Sequence, residues 1–263
     1  LNMGLNLNNR KVIITGAGDG IGRALALAFA KEGAQVAVCA RSQDRLDSLS
    51  DEMEGTGHLC CSADLGKAEG VEAFYQNAIQ VLGQVDVLIN NVGAILKLAD
   101  FFSLTDQDWE DSFQINLMSA VRLTRHCIPS LKQSACPRII NISSIAAASP
   151  QDVFPHYSAM KAGLSNFTVS LAQSLALDKI LVNSISPGPV WSKSWESETQ
   201  NSDSSPEQAK KEIMEQTGAG IPLKRMGMPE DLTGLALFLA SGQSGWITAT
   251  NFNVDGGLTR NPF

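Results

Sequence analysis

The sequence is poor in residues that hold metals and in patterns that mark secreted or membrane proteins. It contains three histidines and five cysteines, none of them in a CxxC pair, so neither a metal site nor a disulfide framework is predicted. No apolar run reaches the roughly 18 residues that span a membrane, and the first residues lack the basic-then-apolar layout of a secretion signal. We therefore expect a cytoplasmic protein with reduced thiols.

Basic residues are also in short supply. Twenty Lys and Arg stand against 27 Asp and Glu, a net charge of −7. Nucleic acids and anionic membranes bind to basic surfaces, so neither is an expected partner. With 263 residues, 44% of them hydrophobic, the chain is long enough to bury a core without metal or disulfide support. A small molecule is the expected ligand.

Short apolar runs alternate with longer amphipathic stretches. Predicted strands occupy 11–15, 35–39, 58–62, 85–89, 138–142, 180–185 and 251–254, and predicted helices occupy 21–31, 43–53, 67–82, 105–113, 115–132, 157–177 and 229–240. The strands are continuously apolar, which is typical of a parallel sheet covered by helices on both faces. We predict one α/β domain over residues 1–263, built on a Rossmann-like doubly wound parallel sheet of about seven strands.

One segment departs from this pattern. Residues 192–219 are polar, serine-rich and charged, and long excursions of this kind are functional lids or irregular surface insertions. The segment follows the carboxyl end of a predicted strand, where ligands bind in such sheets. We therefore interpret it as a substrate lid.

A glycine-rich turn joins the first predicted strand to the first predicted helix. It reads TGAGDGIG from Thr15 to Gly22. Glycines let the backbone approach a pyrophosphate closely, and the free N–H groups at a helix start bind anions. The spacing is not G-x-G-x-x-G, and a glycine turn alone is weak evidence. Its place after the first strand nevertheless favours nucleotide binding over a purely structural turn.

Three further loops follow predicted strands and should line the same crevice. Asp64 follows the third strand, where its carboxylate can accept from an adenine amino group or cap the next helix. Asn90-Asn91-Val92-Gly93 follows the fourth strand and can hold the glycine turn in place, border the cofactor, or both. Pro187-Gly188 follows the sixth strand, as a plain tight turn or as a border to the nicotinamide.

The chemistry-bearing residues are Tyr157 and Lys161, four positions apart on one helix face. A tyrosine titrates near pH 10, but a neighbouring ammonium lowers its pKa and makes it a usable acid and base. Ser144 follows the fifth strand and can hydrogen-bond a substrate oxygen, and its spacing to Tyr157 favours it over Ser143. Asn116 lies inside a predicted helix, where its amide can disrupt the helix and hold a water.

In order and spacing, these features resemble the short-chain dehydrogenase/reductase family over about residues 11–257. The resemblance rests on the TGAGDGIG turn, Asp64, NNVG at 90–93, Asn116, Ser144, Tyr157, Lys161, Pro187-Gly188 and VDGG at 254–257. It implies nicotinamide-dependent hydride transfer between a secondary alcohol and a carbonyl. The strand order expected with it is 3-2-1-4-5-6-7.

The resemblance also implies a role for each site residue. Tyr157 is the general acid/base, Lys161 lowers the tyrosine pKa and binds the nicotinamide ribose, Ser144 positions the substrate oxygen, and Asn116 anchors a water. The expected cofactor-binding residues are Gly16, Gly18, Asp19, Gly20, Ile21, Gly22, Arg41, Asp64, Leu65, Asn91, Gly93, Tyr157, Lys161, Pro187, Gly188, Val190 and Ser192.

The end of the second strand bears on the choice between NADP and NAD. An acidic residue there would accept from the ribose 2′-hydroxyl of NAD, but the sequence has Ala40 followed by Arg41. Arg41 can pair with a 2′-phosphate, whereas Asp19 would weaken that binding. We expect NADP, with NAD possible, and we expect Ser42 to cap the next helix.

Alternative functions stay open. An NAD-dependent alcohol dehydrogenase and a 3-oxoacyl thioester reductase fit the same residues, although Asp178 stands where relatives that dock a carrier protein have Arg. A non-catalytic NADP-binding regulator would not need Ser144, Tyr157 and Lys161 together. A sugar-nucleotide epimerase usually needs a longer C-terminal part.

The substrate itself is not specified by these motifs. Trp191, Trp195 and Ile221 are candidates for apolar pocket walls or for core packing. His156 is interpreted as a loop residue beside the site, and Asp152 as a solvated loop charge. The apolar content of helices 115–132 and 157–177, with the family resemblance, predicts a homo-oligomer, most simply a tetramer.

Overall fold

Seven parallel strands form a single sheet. A computed structural model describes residues 4–192, 195 and 205–260. The strands are β1 (Lys11–Thr15), β2 (Gln35–Ala40), β3 (Leu59–Ser62), β4 (Val87–Asn90), β5 (Arg138–Ile142), β6 (Leu181–Pro187) and β7 (Asn251–Val254). Their order is β3-β2-β1-β4-β5-β6-β7, with every neighbouring pair parallel. The predicted sheet and its order are confirmed.

Helices cover both faces of this sheet. They are α1 (Gly20–Lys31), α2 (Gln43–Glu52), α3 (Ala68–Leu82), α4 (Asp106–Phe113), α5 (Ser119–Leu131), α6 (Pro155–Leu175), α7 (Pro206–Ala219) and α8 (Thr233–Ala240). Side chains of α1, α2 and α8 pack into one hydrophobic cluster, and those of α3, α5 and α6 pack into another. Within the described residues, no helix is both long and apolar enough to cross a membrane.

Strand β1 shows why the strands read as continuous apolar runs. Val12 and Ile14 point into the cluster beneath α1, and Ile13 points into the cluster on the opposite face. All three are fully buried, because successive side chains of a strand face opposite sides of the sheet. Burying each such side chain contributes about 1.5–3 kcal/mol. Because all seven strands are parallel, their carboxyl ends lie at one edge of the sheet. The predicted loops lie at that edge.

Several boundaries differ from the sequence-based expectation. Helix α6 begins at Pro155, a residue suited to the first helical position, and not at Tyr157. Helix α7 forms inside the polar segment that we interpreted as a substrate lid, where no helix was predicted; only Ala209 and Gly218 are buried in it, so its apolar pattern is faint. Residues 193–194 and 196–204 of that segment lie outside the described residues, and its role as a lid stays a prediction.

Candidate active site

The glycine turn is packed so tightly that side chains are excluded from it. Gly16 has a φ of +70°, in the left-handed region that favours glycine. A β-carbon on Gly22 would overlap the carbonyl oxygen of Gly16 and stand 2.5 Å from Nδ2 of Asn91. The turn leads directly into the first turn of α1, whose N–H groups have no partner within the helix. This close-packed cradle fits a dinucleotide pyrophosphate.

Asn91 fixes the shape of the turn. Its Nδ2 donates to the backbone oxygens of Thr15 and Gly16 at 2.9 and 3.1 Å. Its own N–H, and that of Val92, donate to Oγ1 of Thr15. The predicted structural role of this loop is therefore seen directly, whereas a contact between Asn91 and the cofactor stays a prediction.

A second loop meets the turn from the other side. A β-carbon on Gly20 would lie 3.2 Å from Cβ of Ser192, and one on Gly188 would lie 2.9 Å from Cα of Asp255. Pro187 ends β6, and Val190 forms a parallel bridge with Gly227. The structure thus brings Ser192, one of the predicted nicotinamide-side residues, to the turn that should hold the phosphates. Ile21, half-buried, lies at the start of α1.

The corner between the turn and β2 contains a residue that the sequence analysis missed. A β-carbon on Gly18 would stand 2.9 Å from Cβ of Ala40, 3.6 Å from Cβ of Arg45 and 3.7 Å from its Cδ. Arg45 therefore lies at this corner, and Arg41, which directly follows Ala40 at the end of β2, is exposed as well. Ser42 occupies the N-cap position of α2, as predicted, although its side chain makes no cap hydrogen bond. Position 45 falls in the first turn of α2, five residues after the end of β2. This position in the sequence could have identified Arg45 as a second candidate for the 2′-phosphate.

On the adenine side, Asp64 holds its own loop. Its Oδ1 accepts from the N–H of Gly66 at 3.1 Å, and Oδ2 lies 4.0 Å from Nζ of Lys67. The helix that follows is preceded by Lys67, so the alternative that Asp64 caps this helix is wrong. Leu65 is buried in the core, which leaves only its backbone to border a ligand. The contact of Asp64 with adenine stays a prediction.

Tyr157 and Lys161 stand together on α6. Nζ of Lys161 lies 5.8 Å from the centre of the Tyr157 ring and donates to the backbone oxygen of Ile142 at 2.9 Å. Burial lowers the pKa of Lys161 from 10.5 to about 8, because a buried ammonium loses its hydration.

The pKa of Tyr157 moves in the direction opposite to the expected one. Burial raises it above 10, and a hydrogen bond with Ser144 offsets part of the rise. Desolvation thus outweighs the stabilising contacts at this phenol, and the expectation of a pKa lowered by Lys161 is not met. Tyr157 is a protonated phenol at neutral pH.

Ser144, and not Ser143, faces the tyrosine. Besides bonding with Tyr157, Oγ of Ser144 accepts from the N–H of Ala146 at 3.1 Å. Oγ of Ser143 instead donates to the backbone oxygen of Lys161 at 3.1 Å and lies 2.8 Å from Oγ of Ser165. Ser143 therefore anchors α6 to β5, and the choice made from spacing agrees with this geometry.

Asn116 lies in a π-helical turn, Gln114–Met118, between α4 and α5. Its Oδ1 accepts from the N–H of Ala94 at 2.9 Å, and its Nδ2 donates to the oxygen of Ala94 at 3.0 Å. The predicted helix disruption is present, since π-turns interrupt the regular α-helical bonding. The amide clamps the backbone that follows Gly93, and the predicted water contact stays a prediction.

The remaining candidates divide between core and surface. His156 is fully buried in the first turn of α6, 6.2 Å from the ring of Trp109, so its interpretation as a loop residue is wrong. Trp191 and Ile221 are buried, in line with core packing, and Asp152 is exposed. Nε1 of the half-buried Trp195 donates to the oxygen of Val190 at 3.1 Å. Within the described parts of the chain, no cluster of side chains suits a metal ion.

Comparisons with known proteins agree with this architecture. A family model described as "Enoyl-(Acyl carrier protein) reductase" matches residues 16–259. The uncharacterized oxidoreductase YvrD of Bacillus subtilis is 32% identical over 263 residues, covering 98% of this chain and 99% of that protein. The 3-oxoacyl-(acyl-carrier-protein) reductase FabG of Thermotoga maritima is 32% identical over 256 residues, covering 97% and 99%.

A solved structure is similar over the whole fold. It is the crystal structure of L-sorbose reductase from Gluconobacter frateurii complexed with NADPH and L-sorbose. Its TM-score is 0.89 at 30% sequence identity, and the match covers 98% of this chain and 100% of that one.

Proposed function

The chain belongs to the short-chain dehydrogenase/reductase family, and from this premise we propose that it transfers hydride between NADP(H) and a carbonyl or secondary alcohol. One observation carries the proposal: Tyr157 is hydrogen-bonded to Ser144 and stands over Lys161. Gly93 and Asn116 connect that cluster to the loop that holds the glycine cradle.

In the proposed reduction the nicotinamide, when bound, supplies a hydride to the carbonyl carbon. Tyr157 donates its Oη proton to the carbonyl oxygen, which completes the alcohol and leaves a phenolate to be reprotonated from solvent. A raised pKa suits this direction, because the phenol still carries its proton at neutral pH. Ser144 orients the same oxygen by a hydrogen bond, and Lys161 stabilises the phenolate that forms.

For the cofactor, we propose NADP over NAD because two arginines face one corner of the cradle. Neither Arg41 nor Arg45 forms an ion pair in the described residues, and Arg45 lies along Gly18. Guanidinium groups bind phosphates through paired charge-assisted bonds, and Ala40 offers no carboxylate to a free 2′-hydroxyl. Asp19 opposes this attraction, so the preference should be moderate. The L-sorbose reductase structure, similar in fold, contains NADPH.

The proposed function is tested by incubating the protein with NADPH and a panel of ketones, aldehydes and 3-oxoacyl thioesters. Loss of nicotinamide absorbance together with alcohol formation supports it. A protein that binds NADPH tightly but turns over none of the panel, in either direction, is a regulator and overturns it.

A 3-oxoacyl thioester is one member of the proposed substrate range, since the relative from Thermotoga maritima is named for that reaction. Docking of an acidic carrier protein needs a basic surface. Asp178, just after α6, instead pairs with Lys132 at the end of α5, at 2.9 Å. This ion pair neutralises the positive charge of Lys132 at that surface. We therefore favour free thioesters and ketones over carrier-bound ones.

We also propose that the protein is a homo-oligomer, most simply a tetramer, and that it works in the reducing cytoplasm. Val169 on α6 leaves apolar surface exposed, as a self-complementary interface would require. All five cysteines are free thiols. Light scattering at micromolar concentration should give a multiple of the 28.1 kDa chain mass, and a monomeric mass would refute the oligomer.

A further inference from the structure

The loop that follows Gly93 exposes large apolar side chains, and its charged side chains bond to neighbouring groups. Nζ of Lys97 donates to the oxygen of Ser103 at 3.2 Å and to Oδ2 of Asp108 at 2.9 Å. Oδ1 of Asp100 accepts from the N–H of Ser103 at 2.9 Å. Lys97 and Asp100 remain exposed while they make these bonds. The unusual feature of this loop is therefore its exposed apolar surface, and surfaces of this kind mark binding sites.

This loop and the one before α6 expose six large apolar side chains. We call the three that stand nearest to the catalytic residues along the chain, Ile95, Leu96 and Val153, the apolar wall. The exposed fractions are 42% for Ile95, 48% for Leu96 and 45% for Val153. Two loops contribute to the wall, and the N–H of Ala99 joins them by donating to the oxygen of Val153 at 2.8 Å. The wall is therefore held together by backbone bonds and does not depend on a single loop.

The apolar wall adjoins the catalytic cluster along the chain at both of its ends. Ile95 directly follows Ala94, whose N–H and oxygen are both held by Asn116. On the other side, Val153 directly precedes Phe154, whose ring meets the Tyr157 ring edge-on at 5.9 Å between centres. Each end of the wall is thus one residue along the chain from a group that contacts the catalytic cluster.

We propose that the apolar wall binds the apolar substituent of the substrate. The substrate class is then a ketone, aldehyde or free 3-oxoacyl ester that carries an alkyl or aryl group of several carbons next to its carbonyl. A polyhydroxylated sugar would leave its hydroxyl groups facing Ile95, Leu96 and Val153 without hydrogen-bond partners, which costs binding. This inference rests on the proposed carbonyl reduction.

The test is a homologous series of methyl ketones, from butan-2-one to decan-2-one, with NADPH. We expect kcat/KM to rise by about fourfold per added methylene, equal to about 0.8 kcal/mol, until the wall is covered. Linear and cyclic sugars should react at least about a hundredfold more slowly than the best ketone. This factor equals the free energy of burying several methylene groups, which the sugars cannot gain at the wall.

Variants separate the wall from general effects. Ile95→Asn and Leu96→Asn should each flatten the chain-length slope through KM and leave the NADPH Kd within about twofold. Leu177→Asn is the matched control, since Leu177 is 99% exposed just after α6. Its slope should equal that of the wild type.

Each remaining outcome overturns the inference in a distinguishable way. A flat chain-length series, or faster turnover of sugars, contradicts the substrate class while the carbonyl reduction stands. If Ile95→Asn and Leu96→Asn leave the slope intact and lower the mass in light scattering, a second copy of the chain covers the wall. No turnover of any carbonyl would refute the proposed function itself.

Discussion

A β-carbon on Gly93 would stand 2.6 Å from Nζ of Lys161 and 3.0 Å from Oδ1 of Asn116. The absence of a side chain at position 93 therefore lets two functional groups approach the same stretch of backbone. Lys161 is drawn toward β5 by its bond to Ile142, and Asn116 is drawn toward Ala94. Gly93 is therefore a spacer between helix α6 and its own loop, which holds the glycine turn.

Gly93→Ala should impair catalysis more than folding. The added methyl group must push Nζ of Lys161 away, and displacements of about 1 Å near the reacting groups cost on the order of a hundredfold in rate. We expect kcat/KM to fall by about that factor while the far-ultraviolet circular dichroism and melting temperature stay close to wild type. Gly234→Ala is the control, since a β-carbon there meets nothing within 4 Å; full activity of both variants would contradict this role.

Lys161 should leave a signature in the pH dependence of stability. Its pKa is lowered from 10.5 to about 8 by burial, so between these values the unfolded chain binds a proton that the folded chain does not. Stability therefore rises with pH in this window. The free energy of unfolding of the wild type, minus that of Lys161→Met, should increase from about pH 8 to about pH 10.5.

Urea denaturation at several pH values measures this difference. Lys67→Met, whose replaced side chain is exposed, controls for the titration of the rest of the chain. A difference between wild type and Lys161→Met that stays constant across the window would mean that the pKa of Lys161 is not lowered in the folded protein.

Arg41 and Arg45 should strengthen the binding of NADPH and leave the binding of NADH unchanged. One charge-assisted contact contributes about 1.5–3 kcal/mol, or roughly ten- to a hundredfold in affinity, and Asp19 offsets part of it. We expect Arg41→Gln and Arg45→Gln each to weaken NADPH binding by about tenfold and to leave the NADH Kd unchanged, measured by nicotinamide fluorescence. Wild-type kcat/KM should favour NADPH by about tenfold.

Two further variants check this reading of the corner. Ala40→Asp should reverse the preference, because a carboxylate repels a 2′-phosphate and accepts from a free 2′-hydroxyl. Arg125→Gln, exposed on α5, should change neither affinity. Equal losses for both cofactors in Arg45→Gln would show that Arg45 supports the glycine turn and makes no phosphate contact.

Tyr157→Phe should abolish turnover without releasing the cofactor. The variant keeps the ring that packs on Phe154 but lacks the proton, and general acid catalysis is worth roughly 10²–10⁴ in rate. We expect kcat to fall within that range while the NADPH Kd changes by less than about threefold. Retention of more than about a tenth of the wild-type kcat would remove Tyr157 from its proposed role.

The parts of this structure that the sequence predicts are those set by local chemistry. Strands such as β1 are continuously apolar because both faces are buried. The roles of Gly22 and Asn91 are predicted because the loops that contain them follow predicted strands. The i, i+4 spacing puts Tyr157 and Lys161 on one helix face, and the helix disruption at Asn116 follows from a buried amide.

What the sequence does not predict depends on the environment created by the whole fold. Burial reverses the expected direction of the Tyr157 pKa, and only the assembled core desolvates that phenol. Arg45 gains its position from the packing of α2 against the glycine turn, and His156 becomes a core residue only when Trp109 of α4 covers it. Helix α7 carries too few apolar residues for its pattern to stand out.

The most direct test of the account follows the fate of the transferred hydrogen. The protein is incubated with NADPH that is doubly deuterated at C4 of the nicotinamide, together with the best ketone of the series, and the alcohol is examined by mass spectrometry and proton NMR. We predict one deuterium per alcohol molecule, located on the carbinol carbon, and no product from Tyr157→Phe in the same time. Alcohol without deuterium at that carbon, or no alcohol from any carbonyl compound, would contradict hydride transfer by this site.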